Sequence, residues 1–305
     1  MEFIQRLQAG ILLGDGAVGT MLQRMGLKGG EAPELWNAEH PDKVRAVSEA
    51  YIRAGAETVT TNTFGGSSIK LAQYGLESRA AELNARGAEI ARKAAGDRVF
   101  VAGSVGPSGQ FLEPYGTLTE EELYASFAEQ VKALEEGGAD FIQVETMSDL
   151  SEARIAAVAA SENTRLPVIV SMTFEKGPRG YFTIMGVDPQ KVAETFTELG
   201  AAAVGTNCGN GIDEIIEIVR EFRNHTAGPV FAAPNAGRPR LEEGKTVYSQ
   251  GPAYFARRLP DLIRAGATFV AGCCGTTPDH IREMARIIQD FKQERTQDFP
   301  NSREE

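Results

Sequence analysis

Cysteine is scarce in this chain. Only Cys208, Cys273 and Cys274 occur in 305 residues, and two of them are adjacent. An odd count with neighbouring thiols is a poor disulfide framework, and the absence of Cys-x-x-Cys argues against a thioredoxin-like dithiol. No run of 18 apolar residues appears and no apolar stretch follows Met1, so neither a membrane span nor a signal peptide is expected. Reduced thiols then point to the cytoplasm. Basic residues are also in the minority, 31 against 42 acidic, for a net charge of −11. A surface that binds phosphates needs clustered Lys and Arg, which excludes nucleic acid and anionic membranes as expected partners. Histidine is limited to His40, His225 and His280, and tryptophan to Trp36. Each histidine reads as a surface, cap or packing residue, and no His–carboxylate pair stands out as a general base.

What is present is an ordinary core composition, 42% hydrophobic and 24% charged, and a recurring pattern. A helical stretch ends in Gly-Ala and an apolar run follows, in "RAGAETVTTN", "EGGADFIQVET", "ELGAAAVGTN" and "RAGATFVAGC". Glycine closing a helix before a short β-rich segment marks an αβ loop entering a buried parallel strand. Four further strands are expected in "ILLGDG", "VFVAGSVG", "LPVIVSMTF" and "GPVFAAPNAG". Eight strands, each with room for a helix after it, predict a single-domain (β/α)8 TIM barrel over residues 1–290, and 291–305 reads as a polar tail. A doubly wound open sheet is the structural alternative.

Each expected strand runs into polar or glycine-rich residues. Barrel enzymes place their chemistry at the C-terminal strand ends, so these residues should converge on one mouth. Cys208 then ends the sixth strand, and Cys273 and Cys274 end the eighth. Three thiolates from two strand ends supply three corners of a zinc tetrahedron, with Gly272 and Gly275 permitting a sharp turn around the adjacent pair. Three protein ligands with an open position is the catalytic pattern, whereas structural zinc usually has four. The alternative is three buried free thiols. A sulfur-rich centre favours another soft ligand in its open position, and a thiol substrate, deprotonated on binding, fits best.

The segments "LLGDGAVGTML", "TNTFGG", "GPSG", "VETMSD", "GTNCG", "APNAG" and "AGCCGTTPDHI" occur in the order of the homocysteine S-methyltransferase family, which the chain resembles from about Ile11 to Ile281. Within that family it is most similar to the N-terminal homocysteine-binding module of cobalamin-dependent methionine synthase, a placement that "GKTVY" at 244–248 supports. The resemblance implies a Zn2+-dependent transfer of a methyl group to homocysteine, giving methionine. Carried over by position, Cys208, Cys273 and Cys274 hold the zinc. Asp15 with Gly16, and Glu145, hold the amino-acid end of homocysteine, and Asn235 lies near the metal. Asn62 and Ser104 are rim residues of the same pocket. Asp15 read alone is equally a helix cap, and Asn62 and Asn235 are equally turn residues.

The expected donor is a methylcorrinoid (methylcobalamin) on a separate corrinoid protein, since the resemblance is to the methionine synthase module. The alternative donors are S-methylmethionine or S-adenosylmethionine, with betaine third because a single Trp offers little for an aromatic cage. An alternative of another class is a non-catalytic zinc-containing interaction subunit. One departure from the family is "YFTIMG" at 181–186, where Ile184 and Met185 make the segment after the fifth strand more apolar.

Overall fold

The Gly-Ala signals mark real turns from helix to strand. Gly55, Gly138, Gly200 and Gly266 have φ of 102°, 97°, 78° and 115°, a region that residues with a Cβ avoid. The computed structural model describes residues 2–242 and 245–297. Behind those four turns, and between them, lie eight parallel strands. They are β1 (Leu12–Leu13), β2 (Thr58–Thr60), β3 (Phe100–Val105), β4 (Phe141–Met147), β5 (Val168–Met172), β6 (Ala203–Asn207), β7 (Val230–Ala233) and β8 (Phe269–Val270).

The strands neighbour one another in the order 1-8-7-6-5-4-3-2, and β1 pairs with β8. That pairing and order make the expected (β/α)8 barrel rather than an open doubly wound sheet. At the seam between β1 and β2 the Glu57 N–H donates to Leu13 O at 2.8 Å. Eight helices follow the strands in turn: α1 (Pro41–Arg53), α2 (Ala80–Ala95), α3 (Glu120–Glu136), α4 (Leu150–Asn163), α5 (Pro189–Glu198), α6 (Ile212–His225), α7 (Pro252–Ala265) and α8 (Pro278–Gln297). The last helix continues past the boundary at 290, so the expected tail at 291–305 falls partly within it. Residues 298–305 lie outside the described residues, as does Gly244 of "GKTVY".

Two apolar layers hold the barrel. The larger one packs strands against helices, and β5 is buried at every position, as a parallel strand covered on both faces requires. The smaller fills the barrel's interior with Leu12, Phe141, Phe231 and Phe269. A short N-terminal helix, Phe3–Gln8, plugs its lower end. Phe3 stacks on Phe141 with ring centroids 4.0 Å apart, and Arg6 grips Glu57 through two bonds of 2.8 and 2.6 Å beside the β1–β2 seam. With the lower end closed, the accessible end is the mouth where the strands terminate. Two antiparallel strand pairs rise there, 175–177 with 180–182 after β5 and 240–242 with 245–247 after β7. Ile184 and Met185 follow the first pair and are exposed.

Candidate metal and substrate site

Cys208 leaves β6 with φ of 61°, a left-handed conformation costly for a residue with a side chain, and Gly209 continues the turn at 69°. The bend is fixed from the next loops. Cys208 N–H donates to Ala233 O at 3.1 Å, Cys273 N–H to Pro234 O at 2.8 Å, and Ala236 N–H to Cys274 O at 2.9 Å. The glycines around the pair are required by close approach. A Cβ on Gly272 would lie 2.4 Å from Thr276 Oγ1, and one on Gly275 would lie 2.3 Å from the Tyr248 ring.

The three sulfurs consequently lie within 4.8 Å of one another, and Cys208 Sγ is 3.8 Å from Cys274 Sγ. Two sulfurs bound at about 2.3 Å to one tetrahedral zinc are themselves about 3.8 Å apart. A second feature fits a cation: Asn235 Oδ1 is buried with no hydrogen-bond partner, and the Asn235 side chain meets Cys208. An orphaned buried acceptor beside three thiols is costly unless a cation or donor completes it. The thiols also titrate as a unit. Hydrogen bonds from Cys273 and Cys274 hold Cys208 well below the ordinary thiol range, and the hydrogen bond each makes to Cys208 pushes the other two up. Such a trio releases its first proton readily, as a metal-binding thiolate set must.

Two carboxyls share the cavity with the thiols. Asp15 does not cap the helix that follows it; its oxygens accept from Thr60 N–H and Thr60 Oγ1, both at 2.8 Å. Burial pushes it up to about 7 against those hydrogen bonds. Gly16 must be glycine, since a Cβ there would lie 2.7 Å from Thr276 Oγ1. Glu145 accepts from Ser104 Oγ at 2.6 Å and is also pushed up to about 7, by burial first and by the charges of Asp15 and Cys208 after it. Ser104 therefore acts on Glu145, and it is buried rather than at the rim. Asn62 is buried too, with its amide nitrogen donating to Pro33 O and Asn37 Oδ1 at 2.7 and 3.0 Å. It braces the loops after β1 and β2 while lining the cavity.

Two participants escape a reading by motif. Asn207, the last residue of β6, sends Nδ2 to Thr146 Oγ1 at 2.7 Å, with Glu145 Oε2 at 3.4 Å and Cys273 Sγ at 3.8 Å. Its Oδ1 accepts from Thr146 N–H and Ser171 Oγ, both at 2.8 Å. Thr146 shares the left-handed φ of 61°, so strain sits at both strand ends that Asn207 joins. The only sequence signal for Asn207 is its place before Cys208. Glu34 is the other: it is a third carboxyl in the cavity wall, itself buried and accepting from Gly65 N–H at 2.7 Å, and burial raises it. Nothing in the sequence separates it from other exposed-looking glutamates.

The cavity lined by the three thiols, Asp15, Glu34, Asn62, Ser104 and Glu145 holds about 380 Å³, within the range of small-molecule sites. Fold and site together define a (β/α)8 barrel with a cysteine-lined pocket at its mouth. The sequence matches the family described as Homocysteine S-methyltransferase over residues 12–288. It is 32% identical over 307 residues to the methionine synthase of Mycobacterium leprae, covering 94% of this chain and 25% of that protein. It is 32% identical over 311 residues to the methionine synthase of Mycobacterium tuberculosis, covering 95% of this chain and 26% of that one. Among solved structures it is similar to the metallated homocysteine methyltransferase MmuM from Escherichia coli, with a TM-score of 0.76 at 26% identity, covering 92% of this chain and 98% of that one. The chain belongs to the homocysteine S-methyltransferase family. It spans about a quarter of the length of the methionine synthases it matches.

Proposed function

We propose that this barrel transfers a methyl group to the sulfur of homocysteine, giving methionine, with Zn2+ held by Cys208, Cys273 and Cys274. The observation that carries the reading is one cavity lined by three convergent thiols and two carboxyls raised by burial, with the orphaned Asn235 side-chain oxygen beside Cys208. A zinc ion in such a thiolate set supplies the Lewis acidity that keeps a further sulfur deprotonated near neutral pH. The chain's own residues do the rest. Asp15 and Glu145 receive the substrate ammonium, whose charge returns both carboxyls to their ionised form. The backbone at Gly16, pressed against Thr276 and Tyr51, faces the substrate carboxylate.

Held at both ends, the sulfur attacks a methyl carbon from the mouth. The new S–C bond forms as the donor–methyl bond breaks, and that electron pair leaves with the donor. No general base is needed once the thiol proton has gone. Orientation within the walled cavity supplies the remaining advantage.

The donor we favour is a methylcorrinoid presented by another protein or module. Exposed large apolar side chains crowd the mouth: Phe64 and Tyr74 after β2, Phe111 and Tyr115 after β3, Ile184 and Met185 after β5, and Leu241 after β7. A rim of that kind marks an interaction site for something larger than an amino acid. The second reading is a small sulfonium donor. It draws on MmuM, a homocysteine methyltransferase that this barrel covers almost completely.

A panel of donors tests the choice, using the zinc-loaded protein and homocysteine. Methionine formation from free methylcobalamin and not from S-methylmethionine or S-adenosylmethionine is expected; the reverse sinks the corrinoid reading. A homocysteine-dependent change in the spectrum of the Co2+-substituted protein separates either enzyme from a non-catalytic subunit.

A further inference from the structure

The thiols come from two loops that share no covalent neighbour, so something must fix the distance between them. Between β7 and α7, Asn235 stands near the start of the connection and Gln250 just before the helix. Gln250 reaches all three loops of the site. Its Oε1 accepts from Ile212 N–H at 3.1 Å, in the first turn of α6 and four residues after Cys208. Its N–H donates to Ala236 O at 2.8 Å, beside Asn235. Its carbonyl pairs with His280 Nε2 at 3.0 Å, in the segment that carries Cys273 and Cys274. That direction of donation is fixed, because His280 Nδ1 is the acceptor for the Thr277 N–H at 3.2 Å.

The surroundings are shaped to receive this side chain. Helix α6 has Gly211 at its N-cap and no side-chain cap of its own, so an acceptor must come from elsewhere. A Cβ on Gly211 would lie 2.7 Å from both side-chain heteroatoms of Gln250. Glycine at 211 thus makes the space that the remote cap occupies. On the far side, a Cβ on Gly237 would lie 3.1 Å from Gln250 Cγ.

We infer that Gln250 is a positioning residue that sets the spacing of the thiol trio, by capping the Cys208-bearing loop from the segment that also holds the Asn235 and Cys273–Cys274 loops. It touches neither sulfur nor substrate and acts through the loops it joins. This rests on the proposed metal site for its consequence, though not for its geometry.

The test compares Gln250→Met with Asp188→Ala. The first removes the acceptor for Ile212 N–H while keeping side-chain bulk. The second removes an ordinary cap remote from the site, since Asp188 Oδ1 accepts from Lys191 N–H at 2.8 Å at the start of α5. Both should lower the melting temperature of the metal-free protein by a few degrees, on the order of 2–4 °C. Only Gln250→Met should release zinc to a chelator roughly tenfold faster, as loss of an outer-shell partner does.

A second readout needs no metal: the rate at which diamide joins Cys208 to the Cys273–Cys274 pair, followed by peptide mass spectrometry. That rate should fall in Gln250→Met and stay unchanged in Asp188→Ala. Equal behaviour of the two variants in both assays overturns the inference. Wild-type protein that cross-links readily yet binds no zinc instead overturns the metal reading and leaves the spacing role standing.

Discussion

Glu145 is a half-buried carboxyl in a protein whose substrate is proposed to bring the matching positive charge. With burial holding its folded-state value at about 7 against an ordinary 4.5, the sign of its effect on stability follows. Its contribution is fully present below about 4.5, where both states are protonated, and is lost as pH rises through about 7. Glu145→Gln keeps an acceptor for Ser104 Oγ and removes the charge. It should therefore stabilise the metal-free protein at pH 8, by up to about 3 kcal/mol, and do little at pH 4. Denaturant melts at the two pH values check this; equal gains at both would show that the charge is not the cost. The same variant should weaken homocysteine binding, because the ammonium loses its partner.

Cysteine spacing and the Gly-flanked pair were legible as chemistry because few roles suit three scarce thiols at strand ends. Asn207 was legible only as a polar strand end, and Glu34 not at all, because a glutamate two residues before a tryptophan has no local signature. Their partners, Thr146 and Gly65, are 61 and 31 residues away.

Among the elements, the N-terminal helix Phe3–Gln8 was not anticipated. Six residues make no periodic signal, and a helix this short has little stability of its own. Its order comes from Phe3 stacked on Phe141 and from Arg6 gripping Glu57. Phe3→Ala should cost about 3 kcal/mol, the usual price of deleting a buried aromatic, with zinc affinity unchanged because the plug lies at the opposite end from the thiols. Thermal unfolding with and without metal measures both. Four of the eight strands, by contrast, were readable from the Gly-Ala turns, and the other four from the apolar runs between them. A left-handed φ at each of the four marked positions admits glycine and little else, so the backbone requirement is written directly in residue type. The strand pairs 175–177 with 180–182 and 240–242 with 245–247 were passed over, because strands of three residues are too short to show alternation.

For the whole molecule, metal and fold should be linked. Zinc that binds only the native thiol trio stabilises it by about 2.7 kcal/mol at a free concentration of 100 times Kd, which for a chain this long is a rise of about 4 °C in Tm. Chelation should remove that increment from the wild type, and Cys208→Ala, Cys273→Ala and Cys274→Ala should show none to remove. A Cys variant that retains one tightly bound zinc would show that the ligands are elsewhere. No helix among the described residues is long and apolar enough to cross a membrane, in keeping with the absence of long apolar runs.

Barrel architecture and the identity of the thiols were already decided by residue type and order, because helix-ending glycines, buried strand runs and rare cysteines are local constraints that any fold must meet. The spacing of the sulfurs, the strain at Cys208 and Thr146, the raised carboxyls and the span of Gln250 across three loops belong to the tertiary structure alone. Each depends on which distant segments closure of the barrel brings within hydrogen-bond reach, and on how far it takes them from water.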